Sequence, residues 1–294
     1  MFINQHLIEI LDNTLEQHVN SKAETKVVKT VSGGSINNCY QLEYASERFF
    51  LKLNSAQAFP NMFLAEAEGL SQIANENKIA VPRVIAKGEA GGEQFLLMKW
   101  IDKGPNTKRS QELLGRELAD LHRSSNSYFG LNYDNYMGSL PQYNGEYASF
   151  SDFFIEKRLM VQVEIGLSKK LITNSLKDKF ELLYKRLPNL IPEEKPGLVH
   201  GDLWSGNYMI GSKGEPYLID PAIAYSHREV DLAMTSLFGG FDDSFYQAYN
   251  EHFPFQNEWE KRIGLWNLYP LLVHLNLFGL GYLNDIERNL KAWV

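Results

Sequence analysis

Near residue 102 the chain changes its hydrophobic period, and that change limits the folds open to it. Upstream, short apolar and aromatic runs carry the pattern: KVVKTV (26–31), CYQLEY (39–44), RFFLKL (48–53) and QFLLMKWI (94–101). One helix interrupts them at 61–77, with Pro60 just before it and Leu64, Ala67, Leu70 and Ile73 along one side. Downstream, apolar residues recur at helical spacing. Leu114, Leu118 and Leu121 share a face within 110–123, and FSDFFIEKRLMVQVEIGL, LKDKFELLYKRL and a long helical tail from residue 258 follow. A single strand-turn-strand, YMIGSKGEPYLID (208–220), breaks this half, with Gly211 and Gly214 marking its turn. The pattern predicts an α+β chain of two lobes. A small antiparallel-sheet lobe covers 1–101, and a larger, mainly helical lobe covers 102–294.

Length and charge narrow the partners. The 294 residues suffice for two lobes of ordinary size, and 44% hydrophobic with 22% charged residues is the balance of a globular protein. A net charge of −7 without any Lys/Arg-rich run argues against nucleic acid or an anionic membrane as the main partner. Cys39 is the only cysteine, which excludes an internal disulfide and a thiolate metal cluster. The N-terminal MFINQHLIEILDNTLEQHV spaces Leu7, Ile10, Leu11 and Leu15 as an amphipathic helix, without the cationic start of a signal peptide. LLVHLNLFGLGYL, near the C-terminus, is too short and too interrupted to span a bilayer. A cytoplasmic monomer is the expectation.

The stretch LVHGDLWSGN (198–207) carries the chemistry. Asn207 ends this loop, the hairpin leaves and returns, and Asp220 follows its second strand. The turn therefore brings an amide oxygen and a carboxylate together, a pair suited to Mg²⁺ held with the phosphates of ATP. Asp202, earlier in the loop, falls within reach of a substrate hydroxyl and is the candidate base. His200-Gly201-Asp202-x-x-x-x-Asn207 keeps the spacing of the kinase catalytic loop, H-R-D-x-x-x-x-N, with glycine in the second place. The spacing alone is also that of a polar loop, and the hairpin with its downstream Asp220 is what favours chemistry.

The first lobe adds independent support. Gly33 and Gly34, followed by Ser35, lie between two strands, where a turn can present backbone N–H groups to phosphates, although two glycines also suit a plain turn. Lys52 is the polar residue of an otherwise apolar strand, FFLKLN, and a buried lysine needs a counter-ion. Glu66 on the following helix is the natural partner. Glu68, about 200° further round that helix, is its rival, since only one of the two can face the strand. A strand-edge surface lysine is the structural alternative.

LVHGDLWSGN, YLIDPAIAYSHREVDLAM (217–234) and FGLNYDNYMGSLPQYN (129–144) together resemble the fructosamine (ketosamine) kinase family, within the wider aminoglycoside- and choline-kinase-like fold. The likeness covers essentially the whole chain and implies the two-lobed protein-kinase-like architecture. It implies an ATP- and Mg²⁺-dependent kinase that phosphorylates a sugar hydroxyl of ketosamines, on glycated amines or proteins, as a repair of glycation. In this resemblance Asp202 is the catalytic base, Asn207 and Asp220 are the metal ligands, and Lys52 with Glu66 positions phosphate. Met98, Lys99, Trp100 and Ile101 correspond to the interlobe hinge whose backbone bonds adenine, and Trp204 to the tryptophan that faces the sugar. Asp231 corresponds to the aspartate bracing the catalytic loop, whereas His122, on an apolar helix face, reads as a core histidine.

Two departures stand out. Ser35 occupies the place where some members carry a redox-sensitive cysteine, and Phe150 stands where many carry tryptophan before an FF pair. The second bears either on the acceptor pocket or on packing alone. Two other functions compete. One is phosphotransfer to an aminoglycoside, choline or similar hydroxyl compound, which an acidic pocket would favour. The other is a catalytically inactive kinase fold acting as a binding module, which need keep none of Lys52, Glu66, Asp202, Asn207 and Asp220.

Overall fold

The computed structural model describes residues 3–32 and 36–294. The expected glycine turn, Gly33, Gly34 and Ser35, lies outside the described residues. Helix α1 (Gln5–Val19) opens the chain, with the Asn4 side chain accepting from the His6 N–H at its start. Strands β1 (Lys26–Val31), β2 (Asn38–Tyr44) and β3 (Glu47–Ser55), helix α2 (Met62–Glu76) and strands β4 (Val84–Ala90) and β5 (Glu93–Lys99) follow. The strands form one antiparallel sheet in the order β1-β2-β3-β5-β4.

Two-residue alternation sorts the side chains of β3. Phe49, Leu51 and Leu53 join Leu7, Leu11 and Leu15 of α1 in one core. Phe50 and Lys52 point the other way, toward α2 and the cleft. Strand β5 divides likewise, Phe95 and Leu97 to the α1 side, Leu96 and Met98 to the α2 side. Strand β4 was not legible in the sequence, because VIAKGEA has neither a clean alternation nor a β-branched run beyond its first two residues. It forms because β5 offers an open edge that it pairs along its whole length.

The remainder is mostly helical, with more β-structure than the one expected hairpin. Helix α3 (Lys108–His122) precedes four three-residue strands: β6 (Phe129–Leu131), β7 (Asn135–Met137), β8 (Leu140–Gln142) and β9 (Gly145–Tyr147). The expected continuous helix from Phe150 is α4 (Phe150–Phe154), a π-helical turn (Ile155–Leu159) and α5 (Met160–Ser168), and α6 (Asn174–Arg186) comes next. Strands β10 (Gly197–Val199), β11 (Tyr208–Ile210), β12 (Pro216–Leu218) and β13 (Ala224–Ser226) precede α7 (Glu229–Leu237) and α8 (Asp243–His252). The long C-terminal helix is in fact α9 (Trp259–Trp266), α10 (Leu268–Phe278), a 3₁₀ turn and α11 (Leu283–Lys291). Gly279, at φ 91°, takes a conformation that ends α10. Strands β10, β13, β6 and β9 form one sheet, while β7–β8 and β11–β12 are separate hairpins.

The LVHGDLWSGN stretch (198–207) leaves β10 over a core of Leu114, Leu118, Leu198, Leu203, Leu218 and Phe245. A second core, built from α4, α5 and the C-terminal helices, holds Phe150 against Phe154, His227 and Trp266. Phe150 therefore packs the interior and is absent from the pocket around Asp202. Among the described residues no helix is long and apolar enough to cross a membrane.

Candidate active site

The β11–β12 hairpin does to the chain what its turn residues predict. Tyr208 pairs with Leu218, and the Ile219 N–H donates to the Asn207 carbonyl at 3.0 Å, so Asn207 and Asp220 flank the same register. Asp220 has φ +54°, a left-handed backbone that a non-glycine residue adopts at a cost. Its side chain is 46% exposed and turned toward Lys52.

Lys52 is 2% exposed, and its ammonium donates to both Glu66 oxygens at 2.8 and 2.9 Å and to Asp220 Oδ1 at 2.9 Å. Burial alone would lower its pKa, but the Asp220 and Glu66 carboxylates raise it above the usual lysine value, so the cation persists. Burial likewise pushes the Glu66 carboxyl up to about 7, against the pull of Lys52. The rival, Glu68, faces Lys87 on β4 instead.

Asp202 is partly buried within the 198–207 loop. Asn207 Nδ2 donates to its carbonyl at 2.8 Å and to its Oδ2 at 3.0 Å. Burial, reinforced by the negative Asp220 and Asp231 and opposed by the Asn207 amide, pushes the Asp202 carboxyl up to about 7. A group poised there can accept a proton at neutral pH. The loop itself is braced by Asp231, whose two oxygens accept from the His200 N–H at 2.6 Å and the Gly201 N–H at 2.8 Å. Burial disfavours that carboxylate, yet His122, His200 and the Gly201 N–H together hold it below the usual aspartate range. His122 lies between Asp231 at 3.1 Å and the Tyr249 hydroxyl at 2.8 Å, a fully partnered core histidine. His200 is buried, which lowers its pKa, and its Nε2 meets the Ile219 carbonyl at 2.9 Å.

Two cavities meet at these groups. One, of about 420 Å³, is walled by Val31, Cys39, Phe50, Leu70, Met98 and Ile219. The other, of about 190 Å³, is lined by Asp202, Trp204, Glu66, Asn135, Tyr136 and Gly138. Asn37, Lys52, Asn207 and Asp220 line both. Among the described residues no group of three or more His, Cys, Asp or Glu could hold a metal ion. A phosphate-bound Mg²⁺ needs only one or two protein oxygens. Asn207 commits its Nδ2 to Asp202, which leaves Oδ1, and Asp220 gives Lys52 only Oδ1, which leaves Oδ2. That donor set fits the ion.

The four residues expected at the hinge, Met98, Lys99, Trp100 and Ile101, all line the larger cavity, but two of their N–H groups are already engaged. The Lys99 N–H donates to the Arg83 carbonyl at 2.9 Å and the Trp100 N–H to the Arg48 carbonyl at 3.1 Å. Among the described residues the Ile101 N–H has no such partner. Trp204 is 36% exposed beside the smaller cavity, edge-on to Phe238 at 6.1 Å. Its indole folds over Gly206, where a Cβ would come within 2.3–2.7 Å of the ring. The sequence reading missed Asn135, Tyr136 and Gly138. They sit on the β7–β8 hairpin, whose strands are too short for any period to register.

The model of the fructosamine kinase family matches residues 7–294. A probable ketoamine kinase of Synechocystis is 41% identical over 266 residues, covering 90% of this chain and 88% of that protein. A chloroplastic protein-ribulosamine 3-kinase of Oryza sativa subsp. japonica is 37% identical, over 90% of this chain and 80% of its own length. A solved fructosamine-3-kinase-like structure from Thermobifida fusca superposes with a TM-score of 0.84 at 32% identity, covering 92% of this chain and 94% of its own. The aminoglycoside phosphotransferase APH(4)-Ia shares the fold alone, with a TM-score of 0.64 at 14% identity over 97% of this chain and 98% of its own. Family profile, sequence relatives and fold agree over nearly the full length, and the chain belongs to the fructosamine kinase family.

Proposed function

We propose that this chain is an ATP- and Mg²⁺-dependent kinase that phosphorylates a sugar hydroxyl of ketosamines, the adducts left by glycation of amines or proteins. The observation that carries the reading is the junction of the two cavities at Lys52, Asn207 and Asp220, with Asp202 on the smaller side only. Nucleotide occupies the larger cavity, between the lobes assigned to 1–101 and 102–294. There the Ile101 N–H is the hinge donor left to meet adenine, and Lys52, held by Glu66, positions phosphate. Asn207 and Asp220 hold Mg²⁺, which neutralises charge on the transferring phosphoryl group.

The acceptor hydroxyl lies against Asp202, which orients it and takes its proton as the bond to phosphorus forms. The apolar face of the sugar packs on the exposed indole of Trp204. Protein groups act here by positioning and by charge, with little covalent work of their own. Retention of all five polar groups in contact geometry weighs against an inactive binding module. Among the described residues the smaller cavity is lined by no carboxylate beyond Glu66, Asp202 and Asp220, fewer acids than a polycationic aminoglycoside calls for. The activities named for the relatives point the same way. A cytoplasmic monomer completes the proposal, and the single thiol, Cys39, suits a reducing compartment.

ADP release measured across a fructosamine, a ribulosamine, an aminoglycoside and choline tests this reading. We expect turnover with a ketosamine and a phosphosugar product by mass spectrometry. Turnover confined to the aminoglycoside or choline would overturn it.

A further inference from the structure

Behind Asp220 runs a chain of buried side-chain amides that the proposed chemistry does not use. Asn135 and Gln142, paired across the β7–β8 hairpin, are 4% and 3% exposed. Asn135 Nδ2 donates to the Ile223 carbonyl at 2.9 Å. Gln142 Nε2 donates to the Ala222 carbonyl at 3.1 Å and to Asn135 Oδ1 at 2.8 Å. Each amide is itself held from behind: Tyr269 donates its hydroxyl to Gln142 Oε1 at 2.7 Å, and Asn144 donates to Asn135 Oδ1 at 3.3 Å. Arg158, in the π-helical turn, fixes Asn144 with a 2.8 Å bond to its Oδ1.

The backbone they grip matters more than the amides themselves. Ala222 and Ile223 lie two and three residues after Asp220, whose left-handed φ carries a cost for a non-glycine residue. The Ala222 N–H donates to the His200 carbonyl at 2.9 Å, which ties the same segment to the catalytic loop. On its other side α2 lies against Pro221 and Ile223 at Gly69. The hairpin also reaches the acceptor side, where Asn135, Tyr136 and Gly138 line the smaller cavity, and the Tyr136 hydroxyl donates to the Pro60 carbonyl just before α2.

We infer that Asn135 and Gln142 are positioning residues, an amide clamp that fixes the backbone behind Asp220 so that its free oxygen faces the nucleotide cavity. The inference rests on the proposed role of Asp220 in holding Mg²⁺. Asn135 also lines the smaller cavity, but its Nδ2 and Oδ1 are already engaged by Ile223, Gln142 and Asn144, and the action of both amides passes through the two carbonyls. Because the clamp belongs to the hairpin that walls the acceptor cavity, one element sets both the acceptor surface and the orientation of Asp220. A misplacement of the carboxylate by about 1 Å is enough to cost on the order of 10²-fold in rate.

The test uses Asn135→Ala and Gln142→Met, with Tyr269→Phe as a milder variant that removes only the hydroxyl supporting Gln142. Calorimetric titration of Mg²⁺ into each protein saturated with AMP-PNP is the primary readout, and steady-state kinetics with a ketosamine is the second. We expect the first two variants to bind Mg²⁺ at least about 10-fold more weakly while metal-free AMP-PNP affinity stays within about 2-fold. We expect kcat to fall about 10–100-fold with little change in acceptor KM. Tyr269→Phe, folded as wild type, should show the same Mg²⁺ effect at a few-fold. Wild-type Mg²⁺ affinity in all folded variants, or a rise in acceptor KM with kcat intact, would overturn the clamp. A wild-type protein that binds Mg²⁺ with AMP-PNP yet phosphorylates no ketosamine would instead overturn the proposed function and leave the clamp standing.

Discussion

Replacing Lys52 by methionine separates a structural ion pair from a phosphate-positioning residue. Methionine fills the space of the aliphatic stem, so the change is mainly the loss of one charge bracketed by Glu66 and Asp220 at 2.8 and 2.9 Å. Removing one partner of a fully buried pair costs about 3–5 kcal/mol, because the other charge is left uncompensated. Here the cost is smaller, for two reasons. Asp220 is 46% exposed and stays solvated, and Glu66, already at about 7 beside the cation, takes up a proton once Lys52 is gone. About 2 kcal/mol is the resulting expectation, a drop in Tm of about 3 °C for a chain of this size. Most domains are stable by about 5–15 kcal/mol, so the variant stays folded at 25 °C. Its kcat/KM for ATP, by contrast, should fall about 10²–10³-fold, the range seen when one pre-set electrostatic contact to a reacting group is deleted. ADP release at 25 °C, corrected by the folded fraction from circular dichroism, reads the second effect apart from the first. A folded Lys52→Met protein with kcat/KM for ATP within about 3-fold of wild type would mean that Lys52 only ties the lobes together.

Three further outcomes are expected. Asp202→Asn keeps an oxygen for Asn207 to donate to, so nucleotide affinity by calorimetry should stay near wild type while kcat falls about 10²–10⁴-fold; activity within a few-fold of wild type would remove Asp202 as the base. Cys39 lines the larger cavity opposite Lys52, and burial, countered by that cation, pushes its thiol up to about 11. Alkylation at pH 7.5 should therefore be slow and slower still with ATP, and non-reducing gels should show monomer; a reductant-reversible dimer that vanishes in Cys39→Ser would contradict this. Burial and then Asp120 push Glu117 from 4.5 up to about 7. A carboxyl raised on folding supports stability fully below its unfolded pKa and loses that support as pH rises through about 7. Glu117→Gln should match wild type near pH 4 and exceed it by about 1–2 kcal/mol at pH 8, the full shift of about 3 kcal/mol being reduced by solvent screening. Thermal melts across that range check it, and equal stabilities at pH 8 would refute it.

What could be seen in the sequence was whatever violated a local pattern. Lys52 showed itself as the one charge in FFLKLN, and the helix period turned Glu68 away from the strand once Glu66 faced it. Asn207 and Asp220 could be paired because Gly211 and Gly214 announce a tight turn between them. Asn135 and Gln142 left no such trace. Their partners are main-chain carbonyls of a distant segment, and any residue at Ala222 or Ile223 would offer the same oxygen. The strands that carry them span three residues each, shorter than the window in which alternation can be told from chance. Hinge amides are equally silent in sequence. That Lys99 and Trp100 spend their N–H groups on Arg83 and Arg48 follows from how β3, β5 and the segment before β4 meet.

On the proposed placement of the sugar against Trp204, the way the indole lies across Gly206 bears on how the acceptor arrives. An exposed tryptophan on a loop would ordinarily sample several orientations and lose that freedom on binding a ligand. Here the missing side chain at Gly206 provides a shelf, and Phe238 meets the ring edge-on, so the aromatic surface is level before any acceptor reaches it. Recognition then becomes a landing on a finished floor: the acceptor supplies the fit, and the protein has no rearrangement left to make at that wall. A residue without a side chain thus sets the attitude of the largest one in the 198–207 loop.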